Sequence, residues 1–115
     1  MSVILYGIPN CDTVKKARAW LDGRGVTHTF HDYKKAGIEP ERLARWIAAA
    51  GLDRVLNRAG TTFRKLPEAE REGLDEARAV ALMVAQPSCI KRPIVEHDRG
   101  LLVGFKPPEW EDALS

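Results

Sequence analysis

The sequence is short of cysteine. It has two, Cys11 and Cys89, too few and too far apart for the disulfide framework that staples small secreted domains. Three scattered histidines do not complete a zinc-ligand spacing with them, so no metal site is expected. Long apolar runs are missing, which excludes a transmembrane helix. The N-terminus lacks the order of charged, apolar and small residues that marks a signal peptide. The expected compartment is therefore the cytoplasm, with no membrane partner. No lysine or arginine run stands out, and a net charge of +2 offers no electrostatic footprint for nucleic acid. Low-complexity tracts and internal repeats are absent too. What remains is 115 residues, 44% apolar and 30% charged. That suits one domain, residues 1–115, with a core of its own. Nothing demands a dimer, and a monomer is expected.

The informative stretch is Leu5-Tyr6-Gly7-Ile8-Pro9-Asn10-Cys11-Asp12-Thr13-Val14-Lys15-Lys16-Ala17. Ser2 to Tyr6 is an apolar run bounded by Gly7 and Pro9, which predicts a buried strand and a loop. From Asp12 the period changes. Val14, Ala17 and Leu21 share one helix face and Lys15, Lys16 and Arg18 lie opposite. Cys11 thus falls where a strand hands over to a helix N-terminus. Unpaired N–H groups and the positive end of the dipole there favour thiolate, the nucleophilic form. Asp12 opposes this electrostatically, and Lys15 and Lys16 offset it only if they face the sulfur. The competing reading is a small residue filling space before a helix.

Val26 to Tyr33 is rich in β-formers and predicts a second strand. Strand, helix and strand make a βαβ unit with parallel pairing. His28 and His31 are read as ordinary strand residues. From about 36 to 85 the pattern is helical. Pro40 opens a helix with Leu43, Trp46, Ile47 and Ala50 on one face, and Gly51 ends it. Leu52 to Leu56 reads as a short turn, and Pro67 opens another short helix. Asp75 caps a helix with Ala77, Val80, Ala81 and Val84 on its inner face. After Pro87, Ile94-Val95 and Leu101–Phe105 flank an Asp98-Arg99-Gly100 turn and predict an antiparallel hairpin. A last helix from Glu109 docks through Trp110 and Leu114. The fold class is α/β: a mixed four-stranded sheet, βαβ–ββα, made of about 1–35 and 86–115, with an all-helical insertion of about 36–85 between the two halves.

These residues resemble the ArsC family, in its YffB-like branch, and imply a thioredoxin-like fold. The resemblance rests on the stretch 5–17, Phe-His-Asp-Tyr at 30–33, Leu-Asn-Arg-Ala-Gly-Thr-Thr-Phe-Arg-Lys-Leu at 56–66, Ile-Lys-Arg-Pro-Ile at 90–94 and Val-Gly-Phe at 103–105. In the family's glutathione- and glutaredoxin-dependent arsenate reductases a cysteine attacks arsenate and arginines hold the oxyanion. Cys11 matches that cysteine, Arg58 and Arg92 match two of the arginines, and Pro93 matches the proline kept in cis beside the cysteine. Arginine's planar fork suits a carboxylate or oxyanion.

The sequence departs from the family's patterns in three places. Where the arsenate reductases have a third arginine it reads Gly104-Phe105-Lys106-Pro107, so that Lys106 alone stands in, with charge but no bidentate fork. There is no Cys-x-x-Cys, the motif typical of the family's Spx-type RNA-polymerase-binding regulators. Ala17 occupies the position where the phosphatase-like arsenate reductases need an arginine. The resemblance therefore implies a monothiol reductase. Cys11 attacks, no cofactor is tightly bound, glutathione is the co-substrate, and glutaredoxin is a further partner. Arg58, Arg92, Thr13 and, more weakly, Arg64, Lys65 and Lys106 bind glutathione or an oxyanion. Cys89 is either a resolving thiol or a core residue. A glutaredoxin-dependent arsenate reductase and a non-enzymatic regulator or interaction module are the alternatives.

Overall fold

The computed structural model describes residues 3–114. Ser2, where the sequence opens the first strand, lies outside them. Along the chain the elements are β1 (Ile4–Gly7), α1 (Asp12–Gly23), β2 (Thr29–Asp32), α2 (Tyr33–Ala36), α3 (Pro40–Ala50), α4 (Leu52–Val55), α5 (Thr61–Arg64), α6 (Glu68–Arg71), α7 (Glu76–Ala85), a 3-10 turn at Pro87–Cys89, β3 (Ile94–His97), β4 (Gly100–Val103) and α8 (Pro107–Leu114). They form two compact units. One runs to Ala36 and resumes at Arg92, and the other is Gly37–Lys91.

The first unit is the mixed four-stranded sheet of the thioredoxin-like class, in the order β2-β1-β3-β4. β1 pairs in parallel with β2, from Ile4↔Thr29 to Gly7↔Asp32. It pairs antiparallel with β3 on its other side, and β3 and β4 form the hairpin. On one sheet face Leu5, Val95 and Leu102 meet Val14, Ala17 and Leu21 of α1 and Trp110 and Leu114 of α8. The α1 stripe is that predicted from its spacing, and all three of its residues are fully buried. β1 comes close to this helix because Gly7 has no side chain. A Cβ there would lie 2.8 Å from Val14 Cγ2.

β2 is shorter than the predicted Val26–Tyr33 run. The Val26 N–H is taken by Leu21 O, 2.9 Å away, in closing the end of α1. At the other end the Asp32 carboxylate accepts the Lys34 and Lys35 N–H groups at 3.1 and 3.2 Å. That local turn pulls Tyr33 out of the strand and into α2. α8 starts at Pro107 rather than Glu109. Its first turn has no use for the proline N–H groups, and the Trp110 N–H already donates to Lys106 O at 3.1 Å. Trp110 Nε1 donates to Gly104 O at 3.0 Å, so this buried indole has its partner.

The second unit is helical apart from a single bridge between Leu56 and Ile90. α3 buries Leu43, Trp46 and Ile47 as its spacing predicts, with Ala50 at the margin. Gly51 ends it at φ +93°, a conformation that favours glycine. Asp75 caps α7 by accepting the Arg78 N–H at 2.8 Å. The inner face of α7 differs from the expected one. Ala79 and Met83 are buried, whereas Ala77 and Ala81 are exposed and Val84 is 37% exposed. Alanines and valines surround this helix, so its period marks no single face, and the larger Met83 takes the inner position. α5 has no counterpart in the sequence pattern: two threonines are weak helix formers, and Phe63 alone buries it. The Pro87–Cys89 turn and the residues after it are tied within this unit. Asn57 N–H donates to Cys89 O at 2.7 Å and Lys91 N–H to Val55 O at 2.8 Å. Among the described residues no helix is long and apolar enough to cross a membrane.

Candidate functional site

The register of the sheet assembles the site. β1 and β2 are parallel and end together at Gly7↔Asp32. β3 is antiparallel to β1 and begins beside the same end, with Ile94 opposite Tyr6. The residues that follow β1 and β2 and those that precede β3 therefore share one sheet edge. They are Cys11, Tyr33 and Arg92.

Cys11 is the N-cap of α1, in extended conformation, with its N–H donating to Ile8 O at 3.3 Å. Its side chain is half-buried and not in a disulfide. Burial pushes the thiol up, but that effect is outweighed. The Val14 N–H, the Arg92 guanidinium and the Thr13 N–H all favour negative charge on the sulfur, and the result is a pKa below the ordinary cysteine value. Neither N–H closes a cap hydrogen bond of normal geometry to the sulfur. Both still lie within the first turn, where orphan donors stabilise an anion. Lys15 and Lys16 are exposed, so the stabilising cation is Arg92. Arg92 is half-buried, which lowers its pKa. Contacts with Cys11 and Tyr33 more than reverse that, and it is held above the ordinary arginine value. The Arg92–Pro93 peptide bond is cis.

Tyr33 is the site residue that the sequence pattern did not disclose. Its side chain is fully buried, and burial pushes its phenol up to about 12 despite the neighbouring Arg92 charge. The signal was its membership of the Phe-His-Asp-Tyr block. β-propensity absorbed it there into a strand.

The remaining candidates have the following surroundings, each within its own unit. Thr13 contributes its backbone N–H, and its side chain is exposed. Lys106 is exposed, and its carbonyl serves α8. Arg58 and Arg64 belong to the second unit and are exposed, as is Lys65. Arg58 pairs with Asp53 at 3.2 Å and lies 5.9 Å from the Phe63 ring centre. Cys89, in the same unit, is fully buried, and burial alone raises its thiol pKa. His28 Nδ1 lies 3.1 Å from Val26 O, and His31 packs at 4.9 Å against the Tyr6 ring. Among the described residues no group of three or more His, Cys, Asp or Glu side chains is arranged to hold a metal ion.

Known proteins match this chain over almost its whole length. Among solved structures it is similar to the YffB protein, with 58% identity over 98% of this chain and 99% of that one and a TM-score of 0.95. It is also similar to an arsenate reductase (ArsC) related protein from Brucella melitensis, with 56% identity, 97% and 93% coverage and a TM-score of 0.77. An uncharacterized protein of Haemophilus influenzae is 37% identical over 98% of this chain and 99% of its own. The global transcriptional regulator Spx of Streptococcus mutans is more distant, at 25% identity over 93% of this chain and 79% of its own. The model of the ArsC family matches residues 6–113. With that match over nearly the whole chain, and with Cys11 at the strand–helix junction in contact with Arg92, the chain belongs to the ArsC family.

Proposed function

We propose that the protein is a glutathione-dependent thiol reductase that uses Cys11 as a monothiol nucleophile. The observation that carries this reading is the contact of a half-exposed Cys11 sulfur with the Arg92 guanidinium at a helix N-terminus. Such a setting raises the thiolate fraction at neutral pH. In the first step the Cys11 thiolate attacks the glutathione sulfur of a mixed disulfide. A Cys11–glutathione bond forms, the substrate disulfide breaks, and the substrate leaves as thiolate. A second glutathione, as thiolate, then attacks the Cys11-bound glutathione sulfur. It releases oxidised glutathione and restores the Cys11 thiolate. In sum, substrate–glutathione disulfide and one glutathione give substrate thiol and oxidised glutathione. Arg92 steadies the sulfur whenever it is anionic, as attacking group and as leaving group. The N–H groups of Thr13 and Val14 do the same from the helix side.

Glutathione enters as a co-substrate, and glutaredoxin is a candidate partner that removes it from Cys11 by the same exchange. Arsenate reduction would use the same thiolate. The Gly104-Phe105-Lys106-Pro107 stretch offers only an exposed lysine where that chemistry has an arginine, so disulfide exchange is the favoured reaction. Cys89 is read as a core residue, because burial holds it in the thiol form.

The test is intact-mass and peptide mass spectrometry after exposure to oxidised glutathione. One glutathione adduct on Cys11, removed by reduced glutathione, is expected. A Cys11–Cys89 disulfide would replace the monothiol cycle with an intramolecular one. Absence of any modification would overturn the reductase reading in favour of a binding module.

A further inference from the structure

Tyr33 poses a question that packing does not answer. The residue is fully buried, and phenylalanine would fill the same space without a hydroxyl to satisfy. A buried hydroxyl needs a partner, and among its partners is the Arg92 side chain. The same guanidinium reaches the Cys11 sulfur. Arg92 therefore has both a phenol and a thiol among its side-chain partners.

The backbone makes this bridge rigid on the phenol side. β2 ends at Asp32, in register with Gly7 at the end of β1. The Asp32 carboxylate holds the turn that follows by accepting the Lys34 and Lys35 N–H groups. Tyr33 is thereby fixed at the edge where Cys11 follows β1 and Arg92 precedes β3. Arginine is a long side chain with many rotamers, and its fork loses less freedom per contact when one edge is already held. The phenol is suited to the task because it stays protonated while the thiol ionises. A neutral oxygen accepts from the guanidinium without competing with the sulfur for its charge. Asp32, Cys11 and Arg92 are the charged or ionisable groups that act on it.

We infer that Tyr33 is a positioning residue of this site, whose hydroxyl holds the Arg92 guanidinium against the Cys11 sulfur. This rests on the reading of Cys11 as the reactive thiol.

The experiment is the pH profile of Cys11 alkylation by iodoacetamide in wild type, Tyr33→Phe, Arg92→Ala and the double variant. The Tyr33→Phe midpoint is expected to rise by roughly half a pKa unit. That cuts the rate below the midpoint about threefold, with the high-pH plateau unchanged. In the Arg92→Ala background the same substitution is expected to change nothing further. A wild-type midpoint that stays low while Tyr33→Phe leaves it unmoved overturns the Tyr33 assignment alone. A Tyr33→Phe shift that persists without Arg92 overturns it as well. A wild-type midpoint at the ordinary cysteine value overturns the reductase reading itself. Fluorotyrosine labelling gives a second measurement on the native fold. The ¹⁹F resonance of residue 33 is expected to shift with Cys11 ionisation in wild type, and to shift much less in Arg92→Ala, where only the direct field of the thiolate remains. A resonance indifferent to that ionisation, or equally responsive without Arg92, overturns the proposal.

Discussion

The unit built on the sheet presents Cys11 half-exposed at a helix N-terminus beside Arg92, and the Gly37–Lys91 unit keeps Cys89 fully buried. Burial pushes both thiols up. For Cys89 nothing opposes it, and the pKa is raised. For Cys11 two N–H groups and a guanidinium reverse it. The arginines divide the same way. Arg92 spends its donors on a thiol and a phenol, whereas Arg58 spends one on the exposed carboxylate of Asp53. Residue type is therefore a poor guide to reactivity. What separates the two regions is whether an anion has donors aimed at it before a substrate arrives.

The sharpest way to break this comparison is to exchange the cysteines for serine one at a time. Cys11→Ser is expected to abolish the glutathione adduct and to change stability little, since the site is half-open. Cys89→Ser is expected to keep the adduct. It should cost about 1–3 kcal/mol in urea unfolding, because it puts a hydroxyl into a space that held a thiol. An adduct that survives Cys11→Ser would remove the distinction altogether.

Next in size is a test of how tightly each unit is built. Gly7→Ala puts a methyl group 2.8 Å from Val14 Cγ2, between a strand and the helix that Cys11 caps. A loss of about 1–3 kcal/mol is expected. In the other unit Gly60→Ala meets the Asn57 amide tip at the same 2.8 Å, and that tip can rotate away. Equal losses in the two variants would show that the strand–helix contact is no tighter than the loop.

The cysteines should also pull the pH dependence of stability in opposite directions. A thiol lowered in the folded state contributes stability that is present above the ordinary value of 9.0 and lost as pH falls through its folded value. A raised thiol contributes stability present below 9.0 and lost as pH rises through its folded value. Stability measured by urea denaturation between pH 7 and 10 is therefore expected to decline more steeply with rising pH in Cys11→Ser than in wild type, and less steeply in Cys89→Ala. Parallel curves would contradict the opposite shifts. Smallest of all is Asp53→Asn. It breaks an exposed ion pair and should move stability by about 0.5 kcal/mol or less. A larger change would give Arg58 a structural weight that its exposure does not suggest.

Legibility followed local contrast. α1 could be read because apolar residues and lysines alternate at helical spacing, and α3 because the large Leu43, Trp46 and Ile47 stand among arginines and small alanines. Asp75 could be read as a cap because its carboxylate serves an N–H three residues on. α7 could not be oriented, since small apolar residues surround it and only tertiary packing selected Met83. Tyr33 was hidden in a run of β-formers. The signal that ended the strand was the neighbouring Asp32, whose side chain competes with the ladder for the backbone N–H groups.

By itself the chain's order of residues determined the strand–turn–helix junction, the place of Cys11 at its N-cap, the parallel βαβ unit and the hairpin. These depend on interactions within a few residues and on simple hydrophobic periods. The tertiary structure alone decided that Cys11, Tyr33 and Arg92 meet. Their encounter requires β2, β1 and β3 to lie side by side with their ends flush. Register of that kind is set by which side chains a sheet buries on each face, and no local stretch of sequence contains it.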